Sequence, residues 1–167
     1  MMLRTRDAQR RAYEALHSEA LAHELEQSAE AFAAEERFDL ANELYTEALT
    51  FAPGSARLHA LRASCRGALG RFTDALQDAH AAVRAAPSWP QSHAALAVAF
   101  IALRQFSKAQ QAYERAARLA RDSQGDTELE AEYRLAALEV RAQKWRVEVV
   151  LPAPGATQAA DDGEDRF

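Results

Sequence analysis

The chain has 167 residues, a formal net charge of −5 and a hydrophobic fraction of 49%, enough for one modest core. No apolar run approaches the roughly 18 residues that a membrane-spanning helix requires, so we expect a soluble chain. Cys65 is the only cysteine, which excludes an intramolecular disulfide and favours a reducing compartment.

The first 21 residues are rich in arginine and predict an N-terminal helical extension, residues 1–21, that leads into the rest of the chain. An arginine-rich start is also typical of mitochondrial presequences. Asp7, Glu14 and Glu19 argue against a presequence here, because such segments are poor in acids. We therefore expect a cytoplasmic protein, with mitochondrial import left open.

Residues of the same class recur at intervals of 34 through the middle of the chain. One series is aromatic and three are alanines: Phe38, Phe72 and Phe106; Ala29, Ala63 and Ala97; Ala41, Ala75 and Ala109; Ala48, Ala82 and Ala116. A fixed period of this length predicts an all-α solenoid of helix-turn-helix units. The three units are assigned to residues 22–55, 56–89 and 90–121, the last ending by 123.

Each unit is predicted to contain two antiparallel helices. Small alanines let the helices approach closely, and the three phenylalanines are expected to fill the wedge between neighbouring units. The second helix of each unit is expected to follow an N-capping side chain, at Asp39, Thr73 and Ser107. A proline after this helix ends it in the first two units, at Pro53 and Pro87.

The end of the chain predicts a capping helix and a tail. Thr127 and Glu130 match a capping box, and an apolar stripe follows up to about Trp145, so a capping helix is assigned to residues 126–146. Residues 147–167 are predicted to be an extended segment followed by an acidic mobile tail. We hypothesise that this tail folds back on the solenoid or docks on a partner subunit.

The three units resemble tetratricopeptide (TPR) repeats. A small residue at repeat positions 8, 20 and 27, an aromatic residue at 17 and a proline at 32 match the TPR pattern, which covers residues 22–121. The resemblance implies a right-handed superhelical solenoid. Three residues depart from the pattern: Arg66 replaces an aromatic residue, Ala79 a large residue and Arg121 the third proline.

No residues have the spacing of a catalytic or metal-binding site. The five histidines show no zinc-like spacing with each other or with Cys65. His59 and His93 occupy the same repeat position, where the TPR pattern places a packing residue, and Cys65 is predicted to be a small buried residue. We therefore predict no enzyme activity, no catalytic residue, no metal and no cofactor.

The charge of the repeats argues against nucleic acid as a partner. The first repeat carries −7, whereas the second carries +3 and the third +4. The arginines of the second and third repeats are spread around their helices, and the acidic first repeat would repel phosphate. We expect neither nucleic acid nor a membrane as a partner.

TPR geometry implies that the first helix of each repeat lines a concave groove, whose residues we call the groove residues. They are Glu26, Glu30, Arg57, Ala60, Leu61, Ser64, Gln91, Ala94, Ala95, Val98 and Ile101. The groove is acidic at its first-repeat end and apolar beyond it, which favours a partner peptide or helix with a basic end. Alternatively, Glu26 and Glu30 only form a solvated face.

Three repeats and a cap also resemble the domains with which Hsp70 and Hsp90 co-chaperones hold an acidic peptide. Those domains use a carboxylate clamp of Lys, Asn, Asn, Lys and Arg. The aligned positions here are Glu26, Glu30, Leu61, Gln91 and Ala95, and none of them matches. We predict a non-enzymatic, co-chaperone-like adaptor or scaffold that does not use the usual clamp. The alternatives are a structural subunit of a large assembly and a true Hsp70/Hsp90 co-chaperone.

Overall fold

The structure is a computed structural model that describes residues 2–124 and 127–150, and these residues form seven helices. They are α1 (Met2–Ala34), α2 (Phe38–Phe51), α3 (Ala56–Ala68), α4 (Phe72–Ala85), α5 (Pro90–Ala102), α6 (Phe106–Gln124) and α7 (Thr127–Val150). No strand occurs in those two ranges, so the predicted all-α fold is confirmed. None of the helices described there is long and apolar enough to cross a membrane.

Consecutive helices pack against each other from α1 to α7. The pairs α1 with α2, α3 with α4 and α5 with α6 correspond to the three repeats, and α3 also contacts α5. The alanines of the predicted series are buried at the helix contacts; Ala29, Ala41, Ala48, Ala82 and Ala116, for example, have no exposed surface. Their small side chains allow the close helix packing that the solenoid requires.

The core between the first two repeats contains the largest fully buried side chains. Tyr45 of α2 and Leu58 of α3 lie there together with Cys65, and all three are almost inaccessible to solvent. The predicted burial of Cys65 is confirmed. Phe72 differs from expectation, because its ring is exposed rather than enclosed between units.

The turn inside each repeat has a left-handed residue at the same position, 34 residues apart: Glu36, Gly70 and Arg104, with φ of 60°, 74° and 58°. The amide of the residue after each one bonds back to the carbonyl five residues before it. In the first repeat Arg37 N donates to Phe32 O at 2.9 Å, and the other two turns repeat this bond. This is the Schellman arrangement that ends a helix.

The predicted N-caps of the second helices are wrong for this reason. A single residue separates the left-handed residue from the next helix, which begins at the phenylalanine. Arg37 and Arg71 therefore stand at the N-cap positions of α2 and α4, without a side-chain capping bond. Asp39, Thr73 and Ser107 are the second residues of their helices.

The N-terminal extension and the first repeat share one helix. α1 runs without interruption from Met2 to Ala34, so the structure places no break between residues 21 and 22. Tyr13 and Leu16, in the extension, are largely exposed. Extension and repeat are therefore a single helical element, of which the later part packs against α2.

The last helix lies at the place predicted for the cap and continues further. α7 packs against α6 and buries Tyr133, Ala137 and Val140. The extended structure predicted from residue 147 is wrong for residues 147–150, which form the last turn of α7; the preference of β-branched residues for strands is weak enough for a preceding helix to override. The predicted tail from residue 151 lies outside the described residues. The capping box stays a prediction, because residues 125–126 before it are also outside them.

Candidate functional site

The groove residues lie on α1, α3 and α5, the first helices of the three repeats. Ser64, Gln91 and Val98 are exposed, and half of the Val98 surface is accessible. The other apolar groove residues are partly buried, and three of them also pack against core clusters: Leu61, Ala94 and Ile101. Apart from Val98, the apolar residues predicted to line the groove are thus only partly exposed.

Arg57 of α3 binds both carboxylates at the first-repeat end of the groove. Its Nε donates to Glu26 Oε1, and its Nη2 donates to Glu30 Oε1 at 2.6 Å. Both acids belong to α1, so this ion-pair group connects the first helices of two adjacent repeats. The two carboxylates are therefore not free acceptors, and the three side chains together carry one negative charge rather than two.

The three side chains of this group differ in their exposure to solvent. Glu26 is only 13% exposed, and its other oxygen lies 3.9 Å from His23 Nδ1. The pKa of Arg57 is raised above its ordinary value, chiefly by the hydrogen bond to Glu26. The pKa of Tyr45, buried on α2, is also raised, first by desolvation and then by negative charge that includes Glu30 and Glu26. Glu30 is more open to solvent than Glu26, so it is the better placed of the two for a partner group.

The two histidines at equivalent repeat positions have structural contacts. His59 Nε2 lies 3.2 Å from the carbonyl oxygen of Pro53, and His93 Nε2 lies 2.9 Å from that of Pro87. As a donor to that carbonyl, each ring ties the start of a first helix to the turn before it. The packing role predicted for both residues is therefore supported by the same contact in two repeats.

A buried ion-pair network in the second repeat was missed by sequence reasoning. Asp78 of α4 is 4% exposed, and Arg62 Nη2 and Nε donate to its two oxygens at 2.6 and 2.9 Å. Arg66 Nη1 lies 2.8 Å from Asp78 Oδ2. Both arginines also donate hydrogen bonds to side chains of α2, Arg62 to Thr46 and Arg66 to Asn42. Burial lowers the pKa of Arg66, and the charge of Asp78 opposes that change.

The repeat period contains the signal that would have revealed this network. Thirty-four residues before and after Asp78 stand Leu44 and Ala112, and the equivalents of Arg66 are Phe32 and Phe100. Two apolar repeat positions have thus become charged in the same repeat, with opposite signs. Such a pair predicts a mutual contact, because a single charge at either position would be buried without a partner.

Among the described residues, no group of three or more His, Cys, Asp or Glu residues is arranged to hold a metal ion. Asp78, the buried carboxylate of the second repeat, is paired with two guanidinium groups, and its Oδ1 also lies 3.5 Å from His59 Nδ1.

The paired helices, the recurring left-handed turns and the groove together define the TPR fold, and comparisons with known proteins agree. The TPR2B domain of yeast Sti1, solved as a complex with pHsp70, superposes with a TM-score of 0.69 at 21% identity, over 74% of this chain and 98% of that one. The Sgt2 TPR domain of Aspergillus fumigatus gives a TM-score of 0.66 at 23% identity, over 87% of this chain and 90% of that one. The chain is thus an all-α TPR solenoid.

In sequence, the chain is similar to part of an SGT1 homolog from Oryza sativa subsp. japonica. The identity is 37% over 95 residues, which are 57% of this chain. The match spans 26% of the length of that relative, so most of the relative has no counterpart in it. No protein-family model matches the chain.

The structure also places the five positions that align with the carboxylate clamp. Glu26 and Glu30 are bound to Arg57, and Leu61 packs against the first core. Gln91 is exposed at the start of α5, and Ala95 is partly exposed one turn later. None of these five residues has the residue type that the resemblance to a carboxylate clamp would predict at its position.

Proposed function

We propose that the protein is a non-enzymatic adaptor that binds a peptide or helix of a partner protein in its concave groove. The observation that carries the proposal is the half-exposed Val98 of α5, which lies three or four residues from the partly buried Ala94, Ala95 and Ile101 of the same helix. Apolar side chains of a partner helix or extended segment can pack on such a face with little steric hindrance. The TPR domain of yeast Sti1 that shares this fold was solved with a pHsp70 ligand, which supports a protein partner.

The ion-pair group at one end of the groove gives the ligand a direction. A basic side chain of the ligand would approach Glu30, whose side chain is 42% exposed, and share its carboxylate with Arg57. An acidic peptide would meet the remaining negative charge and would find no clamp. We therefore propose a ligand with small apolar side chains and a basic end, and we do not favour the acidic tails that a carboxylate clamp holds.

The test begins with the selection of peptides from a displayed random library on the full chain, followed by titration of the selected peptides. Val98→Glu should weaken their binding at least about tenfold, because it places a charge against apolar ligand groups. Leu69→Glu is the matched control, since it makes the same change at the exposed apolar residue that follows α3, outside the groove residues. Equal losses in both variants, or none in Val98→Glu, would contradict the groove assignment.

The charge preference has a separate test. Glu30→Gln should weaken selected peptides with a basic end by a few-fold and leave uncharged peptides unaffected. An acidic C-terminal peptide should show no micromolar binding to the wild-type chain. Micromolar binding of such a peptide, lost rather than gained in Glu26→Lys, would contradict the proposed mode and favour a co-chaperone of the usual kind.

A further inference from the structure

The residue pattern of α5 recurs on α7 at a distance of 40 residues. Two buried residues of α5, Ala97 and Phe100, have buried counterparts in Ala137 and Val140. An alanine five residues after the buried alanine recurs in the first helix of every repeat and in α7, at Ala34, Ala68, Ala102 and Ala142. The distance exceeds 34 chiefly because α6 has 19 residues, whereas α2 and α4 have 14.

The packing of α7 agrees with this register. Val140 lies in one buried cluster with Phe100 of α5, and Ile101 packs against that cluster. The ring of Tyr133 stacks on that of Tyr113 in α6, with centroids 6.3 Å apart. α7 therefore lies against α6 and next to α5, as α5 lies against α4 and next to α3. It occupies the place of the first helix of a fourth repeat.

This register places the exposed leucines of α7 on the groove side of the stack. Val98 of α5 corresponds to Leu138, and Ala95 corresponds to Leu135. Leu135 and Leu138 are 59% and 57% exposed, and Val98 is 50% exposed. Equivalent positions of stacked repeats face the same way, so the two leucines continue the face of Val98 beyond α5.

The far edge of this face, beyond the leucines, carries basic side chains. Arg134 and Arg141 stand at the positions of Ala94 and Ile101, which pack on α5 toward the clusters shared with α7. On α7 the same positions therefore point away from α5. Arg134 forms an ion pair with Glu130 at 3.2 Å, so the exposed Arg141 is the better placed of the two for an acidic group of a ligand.

Two acids of α7 lie on its other side, toward α6. Burial raises the pKa of Tyr113 in α6, and the charges of Glu132 and Glu139 raise it further. The exposed Arg146 lies on this side as well, roughly two turns after Glu139. The acids are thus turned away from the far edge, which is basic, whereas the α1 end of the groove is acidic.

We propose that the groove extends across α7, so that the partner segment binds α5 and α7 together. The inference rests on the proposed function, because it adds a helix to the same site. The ligand then has a basic residue at the α1 end, apolar side chains over Val98 and the two leucines, and an acidic residue beside Arg141. Packed neighbouring helices are about 8 to 10 Å apart, so an extended segment of about seven to nine residues spans the face.

Titration of the peptides selected on the full chain tests the extension. Leu138→Glu should weaken their binding at least about tenfold, as Val98→Glu should, because it places a charge against apolar ligand groups. Gln143→Glu is the matched control. It adds the same charge to the same helix at an exposed position about 140° around the axis from Leu138, and it should leave the affinity within about twofold of the wild type. Circular dichroism melting should show that all three variants are folded.

The outcomes separate the extension from the proposed function. If Val98→Glu weakens binding and Leu138→Glu does not, the ligand ends at α5, and the extension is overturned while the groove assignment stands. If neither variant weakens binding, or if the chain selects no peptide, both proposals are overturned. A loss in Leu138→Glu alone would make α7 a separate surface and would also overturn the extension.

A double-mutant cycle tests the charge at the α7 end. Arg141→Gln and replacement of the acidic end residue of a selected peptide by its amide should each weaken binding a few-fold. Both changes together should weaken it no more than either alone, because each removes the same contact. Losses that multiply would show that Arg141 and the acidic residue do not meet, and they would overturn the proposed direction of the ligand.

Discussion

The second and third repeats have the same fold and opposite chemistry at equivalent core positions. In the third repeat Phe100 and Ala112 are both buried and apolar. In the second repeat, 34 residues earlier, these positions are Arg66 and Asp78, which form an ion pair at 2.8 Å. Both solutions fill the space inside a helix pair, so the TPR backbone does not require an apolar pair there.

The two repeats therefore depend on different kinds of contact for their stability. Apolar contacts are non-directional, and a neighbouring side chain can partly replace a lost one. A buried ion pair must keep its geometry, because either partner alone is left as a buried charge. Since the arginines of the second repeat also bond Asn42 and Thr46 of the first, the network connects α2, α3 and α4 through directional bonds. The contact between the first two repeats is therefore geometrically specific, and it is sensitive to the loss of any one charged partner.

The largest expected effect breaks this network. Asp78→Asn removes the buried charge that pairs with two partly buried guanidinium groups, and it should lower the free energy of unfolding by about 3 kcal/mol in a urea titration. Asp74→Asn is the matched control on the same helix. Its ion pair with Arg71 is well exposed, so its loss should cost less than about 0.5 kcal/mol. Similar effects of the two substitutions would contradict the contrast between the repeats.

The comparison of the second and third repeats also suggests a variant that should restore the stability lost in Asp78→Asn. Arg62→Leu, Arg66→Phe and Asp78→Ala together install the residues that the third repeat has at these positions. Replacing a whole buried ion network by apolar side chains is often neutral or stabilising, so this triple variant should recover most of the stability lost in Asp78→Asn. A triple variant less stable than Asp78→Asn would show that the second repeat cannot accept the packing of the third.

An intermediate effect on the free energy of unfolding is expected at alkaline pH, where tyrosine and cysteine side chains shielded from water in both halves of the chain lose their protons. Burial raises the pKa of Tyr45, Cys65 and Tyr113 above their ordinary values. The unfolded chain therefore releases these protons first, and stability falls as the pH rises above about 8.5 for Cys and about 10 for Tyr, by up to about 1.4 kcal/mol per pH unit for each titrating group. Tyr45→Phe should flatten the decline above pH 10 in urea titrations. An unchanged slope would contradict the burial of this hydroxyl.

The smallest effect concerns the ion pairs at the groove. Arg57→Gln should cost about 1 kcal/mol or less, since Arg57 is 58% exposed and water screens its charge. The effect should shrink in 1 M salt, where the Debye length is about 3 Å. Amide hydrogen exchange should show the loosening in α1 and α3 and leave α6 and α7 unchanged. A loss of protection that spreads to α7 would show that the repeats unfold as one unit.

The sequence predicted the elements that depend on periodicity. The alanine and phenylalanine series predicted paired helices that recur every 34 residues, and the prolines predicted the ends of α2 and α4. The groove ion pairs were not predicted, because Glu26 and Arg57 are 31 residues apart and belong to different repeats. The N-caps failed because turn geometry, with a left-handed residue just before each second helix, decided the helix start. The sequence period predicts the helices, whereas contacts between repeats can be identified only from the three-dimensional structure.

The left-handed turns suggest how to make a more stable variant of the protein for binding studies. Only the second of the three turns has glycine at the left-handed position; Glu36 and Arg104 adopt it with side chains that resist it. Both residues are exposed and neither belongs to the groove. Glycine at these two sites would remove backbone strain outside the groove. The protein can therefore be stabilised without altering the surface that we propose for its partner.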